Sequence, residues 1–415
     1  MLSKSLKIQH FGPICNGYMD NDGYLPINKI TVLCGPQAVG KSSIAKLFAT
    51  FSWLEKALVR GDFSIAYLTK YNRFAKTFCS YQSIQDYFKD NTFLHYIGSA
   101  FEFIYENKKL RVKTCAGSAY ERPQISYIPA ERNLLSVIED AENVKRLPQS
   151  LASMLGVYTT ACRNMKSDLT LPINQAKFHY DALNKRSYIQ SIDYKVKLNE
   201  ASSGMQSLTP MYVVLDYLSK VVAKTIQVQQ SDKSLKEKEL IQKRISEILK
   251  DDSLDPEVRR LLLEQTADTS NKYLLSIVEE PEENLFPTSQ REILNSLLSF
   301  SSVGNNELLI TTHSPYILNY LALAIKAGNV ARMTSDSKLT SRLDSIVPKA
   351  AQVRGEYVSV YQINELGDIL SLPSFDGMPS DDNYLNNTLA ECNDLFSANL
   401  PVRRNSQHIP ETPTW

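Results

Sequence analysis

Gly35-Pro36-Gln37-Ala38-Val39-Gly40-Lys41-Ser42 decides how this chain is read. Its spacing is G-x-x-x-x-G-K-[ST], a glycine loop whose backbone can cradle phosphate. The flanking residues suit that role. Ile30-Thr31-Val32-Leu33-Cys34 is a short apolar, β-branched run and reads as a buried strand. Downstream, Ile44, Leu47, Phe48, Phe51 and Leu54 recur at helical spacing. Strand, glycine loop and helix form the context the motif needs. Gly35 and Gly40 let backbone N–H groups turn inward, and the positive end of the new helix adds to the field. Lys41 is then placed to bridge β- and γ-phosphates, and Ser42 to offer its hydroxyl to Mg²⁺. ATP with Mg²⁺ is the expected ligand.

The chain has 415 residues, enough for one large domain or two, and 43% of them are hydrophobic, enough for a proper core. Its 46 Lys and Arg nearly balance 45 Asp and Glu, so net charge neither suggests nor excludes nucleic acid. Cysteines stand at Cys15, Cys34, Cys79, Cys115, Cys162 and Cys392, with no pair at metal-ligand spacing. Reduced thiols are expected, not a disulfide or zinc framework. No apolar run approaches the roughly 20 residues of a membrane helix, and the N-terminus lacks the apolar stretch of a secretion signal. A cytoplasmic protein without membrane contact is the expectation.

Leu6 to Phe11 alternates and reads as a first strand turned by Gly12-Pro13, with Tyr18 to Tyr24 as its partner. Trp53 to Tyr96 is helical in tendency and dense in aromatics, with Lys70, Arg73 and Lys76 among them. Nucleic-acid stacking would use such a pattern, but a helical layer with buried rings is the preferred reading. Ala100–Tyr105 and Leu110–Lys113 read as a hairpin, and Ile125–Ile128 as a strand closed by Pro129. Leu134 to Leu198 reads as a mostly helical arm with a mild basic excess. Ser231 to Glu264 is highly charged and reads as a projecting helical pair; the tail from Pro401 is proline-rich.

Three further motifs complete a site. Leu274 to Val278 is an apolar strand that delivers Glu279 and Glu280 at its end, where ligand sites of parallel sheets lie. Glu279 would hold Mg²⁺ through its water shell and Glu280 would polarise the attacking water. Leu308 to Ile310 leads into Thr311-Thr312-His313-Ser314-Pro315, whose His313 could reach a γ-phosphate. Ser202-Ser203-Gly204-Met205-Gln206 opens a helix, and a hydroxyl with N–H groups at a helix start makes an anion site.

Together these four motifs resemble the ATP-binding-cassette (ABC) ATPases. The resemblance implies an α/β head: a mixed sheet bearing the P-loop, an antiparallel β subdomain and an inserted helical arm. It makes Gly35 to Ser43 (Gly35, Pro36, Gln37, Ala38, Val39, Gly40, Lys41, Ser42 and Ser43) the ATP-binding loop, and Glu280 and His313 the catalytic pair. Ser42 and Glu279 become the Mg²⁺ residues, while Ser202, Ser203, Gly204 and Gln206 become a signature that meets another subunit's nucleotide. Glu282 to Pro287 resembles the D-loop region. The implied division is residues 1–133 and 267–400 for the two parts of the head, 134–200 for the arm, 201–230 for the signature helix, 231–266 for a charged helical insertion and 401–415 for a flexible tail.

The opening Leu6-Lys7-Ile8-Gln9-His10-Phe11-Gly12-Pro13-Ile14 looks like the non-transporter branch: RecF- and SMC-type ATPases and the overcoming-lysogenisation-defect (OLD) ATPases. Tyr127-Ile128-Pro129-Ala130-Glu131-Arg132 and the strand Val358–Ile363 look like the ATPase subunits of anti-phage systems such as PARIS and Septu. That implies a homo-oligomer holding a separate effector, a nuclease or toxin, with a phage protein as trigger. The alternative is a DNA-repair or recombination ATPase acting directly on DNA. Departures exist: Met205 takes the second glycine position of the signature, and Glu279 replaces the usual Asp. Gln124 is a weak match to the Q-loop glutamine, and Arg132 is either a phosphate or subunit-contact residue or part of a surface salt bridge. After His313 there is no Asp-x-Asp at a strand end, so no nuclease activity of its own is expected.

Overall fold

The computed structural model describes residues 4–115, 120–138, 146–230, 247 and 271–399. Its centre is a seven-stranded sheet in the order Gly17–Tyr18, Asp368–Ser371, Val358–Ile363, Ile30–Cys34, Glu307–Thr312, Tyr273–Glu279, Pro123–Ile128. The strands from Val358–Ile363 to Pro123–Ile128 run parallel, and Asp368–Ser371 is antiparallel to its neighbour Val358–Ile363. Every residue of Ile30–Cys34 and of Tyr273–Glu279 is buried. That is why both read as largely apolar runs, interrupted only by Thr31, Ser276 and the terminal Glu279: elements cover both faces. Val32, Val278 and Ile310 face one core together with the helices Gln149–Arg163, Ser203–Gln230, Pro287–Ser302 and Pro315–Met333. Leu33, Ile277 and Leu309 face a second core under the helix Lys41–Arg60.

Register decides where a site can form. Thr312 lies opposite Cys34, Glu279 opposite Thr311, and Ile128 opposite Val278. The C-terminal ends of four parallel strands therefore stand level along one edge.

The antiparallel subdomain is a five-stranded sheet: Leu25–Pro26, Ser5–Phe11, Phe88–Ile97, Phe101–Glu106 and Lys109–Thr114. The hairpin expected around residues 106–109 is present. Tyr18–Tyr24, however, is not the partner of the first strand. Leu25–Pro26 and Phe88–Ile97 flank it, while Gly17–Tyr18 joins the far edge of the main sheet beside Asp368 and Ile369. The Tyr18 hydroxyl lies 2.6 Å from Ser371 Oγ, and its ring packs edge-on against Tyr361. Asn21 and Asp22 then adopt left-handed backbone and break the run.

The 53–96 segment is less helical than its composition suggests. The helix after the glycine loop stops at Arg60, capped by left-handed Gly61. One short helix and several tight turns follow, and Phe88–Ile97 is a strand whose Thr92, Leu94 and Tyr96 point inward. The rings mostly serve packing, as preferred: Phe51 stacks on Tyr96 and on Phe74 at centroid distances of 5.3 and 5.2 Å.

Residues 134–198 are not a mostly helical arm. Leu134–Val137 and Gln149–Arg163 are helical; among the other described residues lies a four-stranded antiparallel sheet of Leu169–Thr170, Lys177–Asp181, Arg186–Gln190 and Lys195–Lys197. Phe178 and Ile189 pair across that sheet and enter the same core as the Ser203–Gln230 helix, so cross-strand packing overrides helical tendency here. The expected insertion 231–266, apart from Glu247, and the tail 401–415 lie outside the described residues. Among the described residues no helix is long and apolar enough to cross a membrane.

Candidate functional site

The glycine loop connects the strand Ile30–Cys34 to the helix Lys41–Arg60, as the spacing predicts. Gly35 has φ +140°, and a Cβ there would sit 2.3 Å from the carbonyl oxygen of Ile363. Gly40, φ +111°, caps the helix, and its Cβ would meet Ile14 at 2.8 Å. Val39 is buried, Gln37 and Ala38 are exposed, and Pro36 is half-buried. Ser42 is half-buried and Ser43 buried in the first helical turn.

Lys41 is buried and folds back over its own loop. Its ammonium donates to the Gly35 carbonyl at 3.0 Å and to the Pro36 carbonyl, and stands 3.2 Å from His313 Nδ1. Among the described residues none of its hydrogen-bond partners is a carboxylate. A cation held by neutral acceptors at a helix N-terminus fits an anion such as a triphosphate.

His313 links onward: its Nε2 lies 3.1 Å from Glu280 Oε1. The His313 contact, ahead of opposing burial, holds the Glu280 carboxyl below the usual range, so it is ionised at neutral pH. The Glu280 backbone is left-handed at φ +43°, uncommon for a residue with a Cβ. Lys41 at a helix start, and His313 and Glu280 just past two strand ends, thus form one contiguous line.

Glu279 ends its strand buried. It accepts from the Tyr127 hydroxyl at 2.6 Å and from Ala130 N–H at 3.3 Å. Burial raises the Tyr127 hydroxyl well above its ordinary value.

Sequence reasoning missed Glu282. It is half-buried, and its Oε1 accepts from both Thr312 Oγ1 and the His313 N–H at 2.7 Å. The carboxylate pins the residue that carries the imidazole. The cluster Glu279-Glu280-Pro281-Glu282-Glu283 carried the signal, but nothing in it separates an inward from an outward glutamate.

Arg132 is neither a phosphate contact nor a surface salt bridge; it is fully buried and bonded to main-chain carbonyls. Nor does Gln124 approach the site. It sits at the opposite end of its strand, where its side chain accepts from Asn271 at 2.5 Å.

The Ser202–Gln206 turn starts its helix as expected. Ser202 and Ser203 are exposed. Gly204 packs so close to the Asn284 carbonyl that a Cβ would stand 2.9 Å from it. Met205 is a core residue of the sheet's helical face, which gives the departure from glycine a packing role. Gln206 turns inward, its side-chain amide donating to Asn199 and Ala201 carbonyls at 2.9 and 3.0 Å. No hydrogen bond among the described residues joins Ser202–Gly204 to the 35–43 loop of the same chain.

One pH effect follows. Burial, partly offset by Glu280, brings the Lys41 ammonium down to about 8 from 10.5. A bound triphosphate favours the charged form. ATP affinity is expected to be flat below pH 8; above it the free protein must take up a proton to bind, and Kd rises by up to about tenfold per pH unit. Calorimetry at pH 9 in two buffers of different ionisation heat measures that uptake. Equal heats in both would contradict it.

Residues 132–318 match a family model described as AAA ATPase domain (AAA_15). The matched stretch is under half of the chain; it takes in Glu279, Glu280 and His313 and begins after the glycine loop. Among solved structures, the chain is similar to the "SMC head domain from Thermotoga maritima" at 9% identity and TM-score 0.36, covering 90% of this chain and 100% of that one. It is also similar to an SmcHead bound to the C-winged helix domain of ScpA, at 8% identity, TM-score 0.34 and coverage of 88% and 96%. A nucleotide-free ATP-binding cassette from an ABC transporter is similar at 12% identity, TM-score 0.27 and coverage of 89% and 90%. No curated protein matches the chain.

Proposed function

We propose that this chain is a Mg²⁺-dependent ATPase of slow turnover that works as a sensor or scaffold, holding and releasing a separate effector protein. The observation that carries the ATPase reading is the line Lys41–His313–Glu280 at the level ends of parallel strands, with contacts of 3.2 and 3.1 Å. Lys41 binds phosphate, His313 senses its far end, and ionised Glu280 orients the attacking water. Ser42 and Glu279 are the residues that would hold Mg²⁺. Both Glu279 oxygens accept one hydrogen bond here, which leaves each a lone pair for a metal-bound water. Mg-ATP itself supplies the electrophilic phosphorus and neutralises its charge.

Exposed Ser202 and Ser203 support a site completed by a second copy, and hence a homo-oligomer whose assembly follows nucleotide state. A cytoplasmic role in anti-phage defence, with a nuclease or toxin as effector and a phage protein as trigger, extends that reading. The test is solution mass with ATP for the Glu280→Gln chain, alone and with the product of the neighbouring gene, together with Mg²⁺-dependent cleavage of DNA and tRNA. An ATP-dependent oligomer that retains its neighbour and cuts nothing is expected. A monomer under ATP, or cleavage by the isolated chain, would sink the proposal.

One observation favours the second reading, a DNA-repair or recombination ATPase. Arg73 stacks on Tyr67 at 3.9 Å and flanks Tyr71, which is 80% exposed, a surface suited to nucleic-acid stacking. Salt-dependent duplex affinity that falls on Tyr71→Ala would select it.

A further inference from the structure

Arg132 has the largest fully buried side chain of the described residues. Its guanidinium is spent on main-chain carbonyls: Nη1 donates to Glu279 at 2.7 Å and Pro129 at 3.3 Å, Nη2 to Glu280 at 2.7 Å, and Nε to Ser207 at 3.1 Å. Glu283 lies 3.6 Å from Nη2. Burying a guanidinium is costly, and satisfying polar carbonyls in a loop does not require a charge. What the planar fork offers is a fixed distance between groups that belong to different elements.

Those elements are the two halves of the site. Glu279 and Glu280 close the acidic strand, whereas Ser207 lies in the first turns of the helix that Ser203 begins. The Glu280 backbone is clamped on both sides, its N–H donating to Thr311 at 2.9 Å and its carbonyl accepting from Arg132. Its left-handed φ of +43° is thereby held, and that conformation aims the carboxylate at His313. On the helix side, Ser207 Oγ also accepts from Asn284 at 3.0 Å, and Gly204 packs against the Asn284 carbonyl, so the turn near Gly204 is joined directly to the segment after Glu280.

We infer that Arg132 is a positioning residue that couples the Ser202–Gly204 turn to Glu280, so that engagement of that turn by another copy sets the water-orienting carboxylate. The inference rests on the ATPase reading above. It differs from a purely structural role in one respect: the coupling acts on turnover through Glu280, not on nucleotide binding through Lys41.

Arg132→Lys keeps the charge but cannot span the carbonyls. The expected result is ATP affinity within about threefold of wild type by calorimetry and kcat reduced at least about tenfold. Adding Glu280→Gln to Arg132→Lys should then cost far less than Glu280→Gln alone, because both act on the same carboxylate. Glu283→Gln, at a partly exposed site, provides a second variant should Arg132→Lys not fold; a several-fold fall in kcat with unchanged ATP affinity is expected. Wild-type kcat in either folded variant, or multiplicative losses in the double variant, would overturn the coupling. Absence of ATP binding in the wild-type chain would overturn the ATPase reading and the coupling with it, and is seen before any variant is made.

Discussion

Lys41→Ala is expected to lower ATP affinity by at least about a hundredfold. The ammonium is the buried cation at the glycine loop, and its present partners are carbonyls of Gly35 and Pro36 that a phosphate would displace. A bridging lysine makes charge-assisted contacts to two phosphates, each worth about 1.5–3 kcal/mol. Together that is about 3–6 kcal/mol, or roughly 10²–10⁴ in Kd. Folding should survive: among the described residues the Lys41 ammonium forms no ion pair, so its removal strips no carboxylate of a bonded partner. The variant should melt near wild type without nucleotide and lose the stabilisation that ATP gives. Calorimetry and melting with and without ATP check both halves; unchanged affinity would remove the basis of the nucleotide reading.

Glu280→Gln is expected to bind ATP normally and lose turnover by about 10²–10⁴-fold, the span of a positioned proton acceptor. The amide keeps the size of the carboxylate and one acceptor toward His313, so geometry is retained while the charge that polarises water is gone. Glu279→Gln should differ. Its carboxylate is buried against Tyr127 and Ala130, and its loss should weaken Mg²⁺ dependence before it removes chemistry. Single-turnover hydrolysis separates the two. If Glu280→Gln hydrolyses at the wild-type rate while Glu279→Gln does not, the roles within the pair are reversed.

Much of this site is legible in the sequence because parallel strands write themselves as largely apolar runs that lead into the functional residues. Ile30–Cys34, Tyr273–Glu279 and Glu307–Thr312 each follow that rule, and their level register brings Lys41, Glu280 and His313 together. What the sequence hides are side chains whose direction is decided by tertiary packing. Arg132 and Glu282 look like surface charges in a polar stretch, yet Arg132 is fully buried and the half-buried Glu282 turns its carboxylate onto Thr312 and His313, and each organises backbone that carries a predicted residue. Gln206 reads as a nucleotide contact but spends its amide on its own loop.

The same distinction explains the fold. Local signals placed the glycine-loop helix and the hairpin at residues 106–109 correctly. The 134–198 segment misleads because Phe178 and Ile189 matter only as cross-strand partners, a non-local fact that helical tendency cannot carry. Tyr18 misleads for a related reason: its partners, Ser371 and Tyr361, are more than three hundred residues away.

The central claim is that the 35–43 loop holds Mg-ATP. Equilibrium dialysis of the wild-type chain against labelled ATP with Mg²⁺, followed by the same measurement on Lys41→Ala, tests it most directly. Saturable binding of about one nucleotide per chain, lost in the variant, is the predicted result. No saturable binding to the wild-type chain, or equal binding to both proteins, would contradict it.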